Sequence, residues 1–72
     1  MAQHKVEIFG QDLCPYTSGA RADYSRRKVE FVYINVLEDS AGLERMLKLT
    51  RGRRNIPVIV EDGKVTIGFG GT

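Results

Sequence analysis

"QDLCPYTSGARADYSRR", residues 11–27, holds Cys14, the single cysteine of the chain, directly ahead of a proline. The stretch decides the fold because a strand pattern ends just before it and a helix pattern begins inside it. Upstream, "HKVEIFG" (residues 4–10) alternates, with Val6 and Ile8 on one side and Lys5, Glu7 and Phe9 on the other, until Gly10 breaks the period of two. From Pro15 onward, Tyr16, Ala20 and Tyr24 step by four and share one helix face, while Arg21, Ser25 and Lys28 fall elsewhere. Pro15 suits the first helical turn, where its missing N–H would have had no partner. Gly19 inside the helix costs about 1 kcal/mol relative to Ala.

Working outward, "EFVYINV" (residues 30–36) is rich in β-branched and aromatic residues and nearly continuously apolar, the pattern of a strand covered on both faces. Pairing it parallel to the first strand makes a right-handed βαβ unit. In "SAGLERMLKLTRG" (residues 40–52), Ser40 is placed to cap a helix, Leu43, Met46 and Leu47 form its apolar stripe, Glu44 and Lys48 are spaced to pair, and Gly52 is placed to stop it. "PVIVEDGKVTIGF" (residues 57–69) reads as a hairpin turning at Asp62-Gly63, a dipeptide that supplies positive φ. The order is βαβαββ, an α/β fold with a four-stranded mixed sheet, in one domain over residues 1–72.

The totals agree with one small domain. Seventy-two residues, 42% hydrophobic and 28% charged, make one core and lie far from the composition of disordered chains. No apolar run approaches the roughly 18 residues of a membrane span, and the N-terminus has no signal-peptide core, so a cytoplasmic location is expected. One cysteine forms no internal disulfide, and with one histidine, His4, the chain alone cannot assemble a tetrahedral zinc site. The net charge of +2 is too small to argue for nucleic acid, and Tyr16, Phe31 and Tyr33 are better used in a core than as a stacking platform. The basic clusters at Arg26, Arg27, Lys28 and at Arg51, Arg53, Arg54 read instead as local anion sites.

A cysteine at a helix N-terminus sits where unpaired N–H groups and the helix dipole favour negative charge, so its thiolate, the nucleophilic form, is stabilised. Asp12 opposes this if its carboxylate lies close, whereas Arg21 or Arg53 would assist. The competing reading is a buried structural cysteine, common for free thiols. Position alone leaves both open.

The segment "CPYTSGAR" resembles the active-site segment of the glutaredoxin family, Cys-Pro-Tyr-Cys-x-x-Ala-Lys: Cys14, Pro15, Tyr16, Ala20 and the basic Arg21 match, and Thr17 replaces the second cysteine. The βαβαββ order and the later "NIPVIV" are similar too, with Ile56-Pro57 where that family has a cis proline. The ending "GFGGT" with a lone reactive position also looks like the small glutaredoxin-like group called UXX-star proteins, some of which carry selenocysteine where this chain has Cys14.

The resemblance implies a truncated thioredoxin-like fold without its third helix. It also implies a monothiol thiol-disulfide oxidoreductase, because Thr17 cannot act as the second sulfur of a dithiol pair. Cys14 would take a glutathionyl group from a mixed disulfide and be regenerated by glutathione, a co-substrate with no cofactor held tightly. Glutathionylated proteins or small mixed disulfides would be the partners.

By the same resemblance Ile56, ahead of Pro57, would present its backbone to glutathione as an added strand. Arg53 would bind the glycine carboxylate, Gln11 stands where family members often carry a lysine, and the Gly68-Phe69-Gly70 segment would approach the γ-glutamyl carboxylate. The Thr72 carboxylate would replace the family's acidic side chain. A missing third helix uncovers an apolar face, which implies a homodimer burying Phe69 and Tyr24.

Two rival functions remain open. Single-cysteine relatives hold a [2Fe–2S] cluster between two subunits with glutathione, although those usually have Gly-Phe-Ser after the cysteine where this chain has Pro15-Tyr16-Thr17. The alternative is a non-catalytic binding module on the same scaffold.

Overall fold

The structure, a computed structural model, describes residues 6–70. Thr72 and His4 lie outside the described residues. Strand β1 spans Val6–Gly10, helix α1 Pro15–Arg26, β2 Val32–Asn35, α2 Ser40–Thr50, β3 Val58–Glu61 and β4 Lys64–Ile67. The order is therefore βαβαββ, with two helices among the described residues.

The strands lie in the order β2-β1-β3-β4. β1 runs parallel to β2 and antiparallel to β3, and β3 pairs antiparallel with β4. Alternation along β1 assigns each helix to a face. Val6 and Ile8 join Ala20 and Tyr24 of α1 and Ile59 in one cluster, while Phe9 joins Met46 of α2, Val36, Val58 and Val60 in the other. The sheet is thus covered on both sides, which is why Phe9 is buried on the face its neighbour Glu7 shares. Glu7 is accommodated there by Arg45 of α2, at 2.8 and 2.9 Å.

Three local expectations are corrected. β2 is the edge strand beside β1 among the described residues; Tyr33 and Ile34 pack on opposite faces as expected, but Val32 is exposed, because an apolar run marks strand propensity and not depth. The cap of α2 is Asp39, whose Oδ1 accepts from the Gly42 N–H at 2.9 Å, and Ser40 is the first helical residue. In α1 the inward residues are Thr17, Ala20 and Tyr24, and Tyr16 is exposed. Spacings of three and four both lie on one helix face, and Thr17 wins because β1 passes it closely. A Cβ on Gly10 would overlap the Thr17 side chain.

The hairpin turns at Asp62-Gly63, both with positive φ. Arg51, in the left-handed region, caps α2, and the following Gly52 donates to Leu47 O at 2.7 Å. No helix is long and apolar enough to cross a membrane among the described residues.

Candidate active site

Cys14 is the N-cap residue of α1, with extended backbone, and α1 has no side-chain cap hydrogen bond. At this position Ser, Thr, Asp or Asn normally accepts from the N–H groups two and three residues on. In α1 those groups belong to Tyr16 and Thr17. Burial pushes the Cys14 thiol up, but the Thr17 hydroxyl and the Thr17 and Tyr16 backbone N–H groups, as donors to the thiolate form, outweigh it, and the net direction is down. A sulfur therefore stands where a capping oxygen would, and it fills that role best when ionised.

Thr17 adds a separate observation. Its side chain is fully buried, and among the described residues its Oγ1 is a buried side-chain oxygen without a hydrogen-bond partner. Yet the same hydroxyl lies within reach of Cys14 and favours its thiolate. One account covers both: a neutral thiol is a poor acceptor, and the hydroxyl gains a proper one only when the sulfur ionises. Gly10 makes room for this packing, since any larger residue would meet Thr17.

The loop before the thiol is a tight turn, with the Cys14 N–H donating to Gln11 O at 3.3 Å. It projects Leu13, 94% exposed, beside the half-buried thiol, and Pro15 and Tyr16 are exposed on its other side. Asp12 accepts at Oδ1 from the Tyr33 hydroxyl of β2 at 2.7 Å. Arg21 lies over the Tyr33 ring, 3.9 Å from its centroid, rather than on the thiolate. Burial, together with the Asp12 hydrogen bond and charge, pushes the Tyr33 phenol up to about 12.

The Ile56-Pro57 bond is cis, and Ile56 is half-buried ahead of β3. Ile56, Gln11 and Arg54 border a hollow of about 160 Å³ floored by Val36, Leu43 and Met46. Of the residues singled out in the sequence, this hollow gathers Gln11 and Ile56; the arginine beside them is Arg54. Arg53 is exposed, and its carbonyl accepts the Thr50 hydroxyl at 2.8 Å, fixing the chain after α2. The Gly68 N–H donates to Pro57 O at 2.7 Å, so that donor is used within the chain. Phe69 packs against the α1-side cluster, and Gly70 is exposed with positive φ. Tyr24 is buried by its own chain without a second copy.

A larger hollow of about 510 Å³ lies over the β3–β4 side of the sheet, lined by Tyr24, Ile59, Lys64, Thr66 and Phe69 among others. It borders neither Cys14 nor Thr17, so its size does not make it the reactive site. No group of three or more His, Cys, Asp or Glu side chains is placed to hold a metal ion among the described residues.

Comparison with known proteins bears on this geometry. The glutaredoxin family model matches residues 6–66, which spans every strand and both helices. The chain belongs to the glutaredoxin family. An uncharacterized glutaredoxin-like 8.6 kDa protein in the rubredoxin operon of Clostridium pasteurianum is 28% identical over 64 residues, covering 89% of this chain and 84% of that one. The thioredoxin-like protein BC3987 superposes with a TM-score of 0.81 at 26% identity, over 90% of this chain and 88% of that chain. The glutaredoxin (grx-1) from Archaeoglobus fulgidus gives 0.76 at 25%, over 97% and 78%. Glutaredoxins are thiol-disulfide oxidoreductases, and this member places its lone thiol at the start of α1.

Sequence reasoning places Thr17 in this glutaredoxin site only as the residue replacing a second sulfur, prefers Arg53 to Arg54 among the loop arginines, and misses the Tyr33–Asp12 bond. The spacing Cys14-x-x-Thr17, N-cap to third helical residue, is a signal that could have marked Thr17 as a donor. Arg54 differs from Arg53 by one position in a loop with no period to choose between them. The Tyr33–Asp12 bond joins residues 21 apart and has no local signal.

Proposed function

We propose that the protein is a monothiol, glutathione-dependent oxidoreductase in which Cys14 reduces mixed disulfides of glutathione. The carrying observation is the buried, unpartnered Thr17 hydroxyl beside a thiol that occupies a helix N-cap. The Cys14 thiolate attacks the glutathione sulfur of R–S–SG, forming a Cys14–SG disulfide and releasing RS⁻, which takes a proton from solvent. A glutathione thiolate then attacks the glutathione sulfur of that disulfide, releasing GSSG and returning the Cys14 thiolate. The balance is R–S–SG + GSH → RSH + GSSG. Thr17 contributes no second sulfur, so the second thiol comes from solution.

The Gln11–Arg54–Ile56 hollow supports this reading by its chemistry. Ile56 offers backbone groups for a strand-like contact, and Arg54 offers a fork suited to a carboxylate. Coupled turnover of a glutathionylated peptide tests the reading. Cys14→Ser removes all turnover, and Arg54→Ala raises KM about tenfold with kcat retained, the loss of one charge-assisted contact. Substantial turnover in Cys14→Ser, or a Cys14 alkylated no faster than a peptide thiol across the pH range, sinks the mechanism and favours a binding module.

A further inference from the structure

The Tyr33 ring needs no partner for its hydroxyl in order to pack: it lies against the α1-side cluster, beneath Arg21. The hydroxyl is nevertheless committed, across 21 residues of sequence, to the carboxylate of Asp12 at 2.7 Å. Asp12 and Leu13 are the centre of the turn that the Cys14 N–H closes on Gln11 O. A carboxylate two residues from a thiolate is a like charge that opposes ionisation whenever it swings close. Bound to Tyr33, over whose ring Arg21 lies, it points at β2, and the influences that set Cys14 come from burial and its own helix.

We propose that Tyr33 is a positioning residue for Cys14: its hydroxyl holds the Asp12 carboxylate on the β2 side of the loop and so keeps a like charge off the thiolate. The inference rests on the reading of Cys14 as the nucleophile. The charged and titratable groups around this loop are Asp12 itself, Arg21 of α1, Tyr33 of β2, Glu38 beyond β2 and Arg54 across the Gln11 hollow. Only Asp12 is both anionic and close enough in the chain to reach the sulfur once Tyr33 lets go.

The test is the pH dependence of iodoacetamide alkylation on the full chain. Tyr33→Phe keeps the ring and its Arg21 contact; its alkylation midpoint rises by about half a pH unit, a roughly threefold loss of rate at neutral pH. Asp12→Asn alone stays near the parent, and the double variant returns to it, a coupling that a merely structural hydroxyl would not produce. If Tyr33→Phe does not fold, Asp12→Glu, whose longer arm breaks the bond geometry, shows the same upward shift. An unmoved midpoint, or a raised one that Asp12→Asn fails to restore, overturns the inference. Turnover of a glutathionylated peptide by the parent, measured alongside, separates this outcome from failure of the proposed reaction.

Discussion

The two ends of α1 are built on opposite rules. At its C-terminus the buried hydroxyl and the flanking charges are paired: the Tyr24 hydroxyl donates to Glu61 at 2.9 Å, Arg27 lies over the Tyr24 ring and pairs with Asp23, and the Val29 N–H returns to Tyr24 O. At its N-terminus the cap is a sulfur, the next side chains are exposed, and the Thr17 hydroxyl is buried without an acceptor. One end is closed by its own residues, and the other keeps donors in hand for a charge that exists only when Cys14 ionises. The difference separates what holds the fold from what works in it.

Breaking the closed end gives the largest effect. Tyr24→Ala empties a site against Val6, Ile8 and Ile59 and lowers unfolding free energy by about 3 to 5 kcal/mol, read by urea titration. Cys14 alkylation in the fraction still folded stays at the parent midpoint, because nothing at the thiol has been touched. A shifted midpoint would show that the two ends are not independent.

Gly10→Ala strikes the open end through packing. The added Cβ overlaps Thr17, so the variant loses about 1 to 3 kcal/mol and, unlike Tyr24→Ala, also loses part of its thiol activation. Equal loss of stability with an unchanged Cys14 profile would mean that the Thr17 hydroxyl is not what lowers it.

Thr17→Val separates the two properties. Removing a buried, unpartnered hydroxyl stabilises the protonated state by about 1 kcal/mol, while the Cys14 midpoint rises by about one unit, a roughly tenfold loss of thiolate at low pH. The sign follows from linkage. Thr17 depresses the folded thiol, so its contribution to stability is present above the unfolded thiol's pKa and is lost as pH falls through the folded one. The gain from Thr17→Val is therefore greatest at low pH and shrinks as pH rises.

These contrasts also mark how far the sequence could be read. The element order, the Asp62-Gly63 hairpin and the place of Cys14 at a strand-to-helix junction follow from periodicity and turn chemistry, which are local. The inward turn of Thr17 was not legible, because it depends on Gly10 of β1 passing close. The exposure of Val32 depends on the place of β2 at the sheet edge, and propensity is blind to that. Arg54 and Tyr33 enter the site through a loop and a long-range contact, where no period operates.

The smallest prediction sharpens the comparison most directly. Tyr24→Phe keeps the buried ring and removes only the hydrogen bond to Glu61, a loss of about 1 kcal/mol. Glu61 is exposed and turns to water when its donor is gone, so little is left stranded. Thr17→Val also removes a single hydroxyl from the same helix face, yet it moves stability in the other direction. The two hydroxyls differ in having or lacking a partner in the folded protein, and only the one that lacks it reports to Cys14. Urea unfolding of both variants with Cys14 protonated decides the matter: if both lose stability by similar amounts, Thr17 has a partner in the resting state, and the open end of α1 is not held ready for the thiolate.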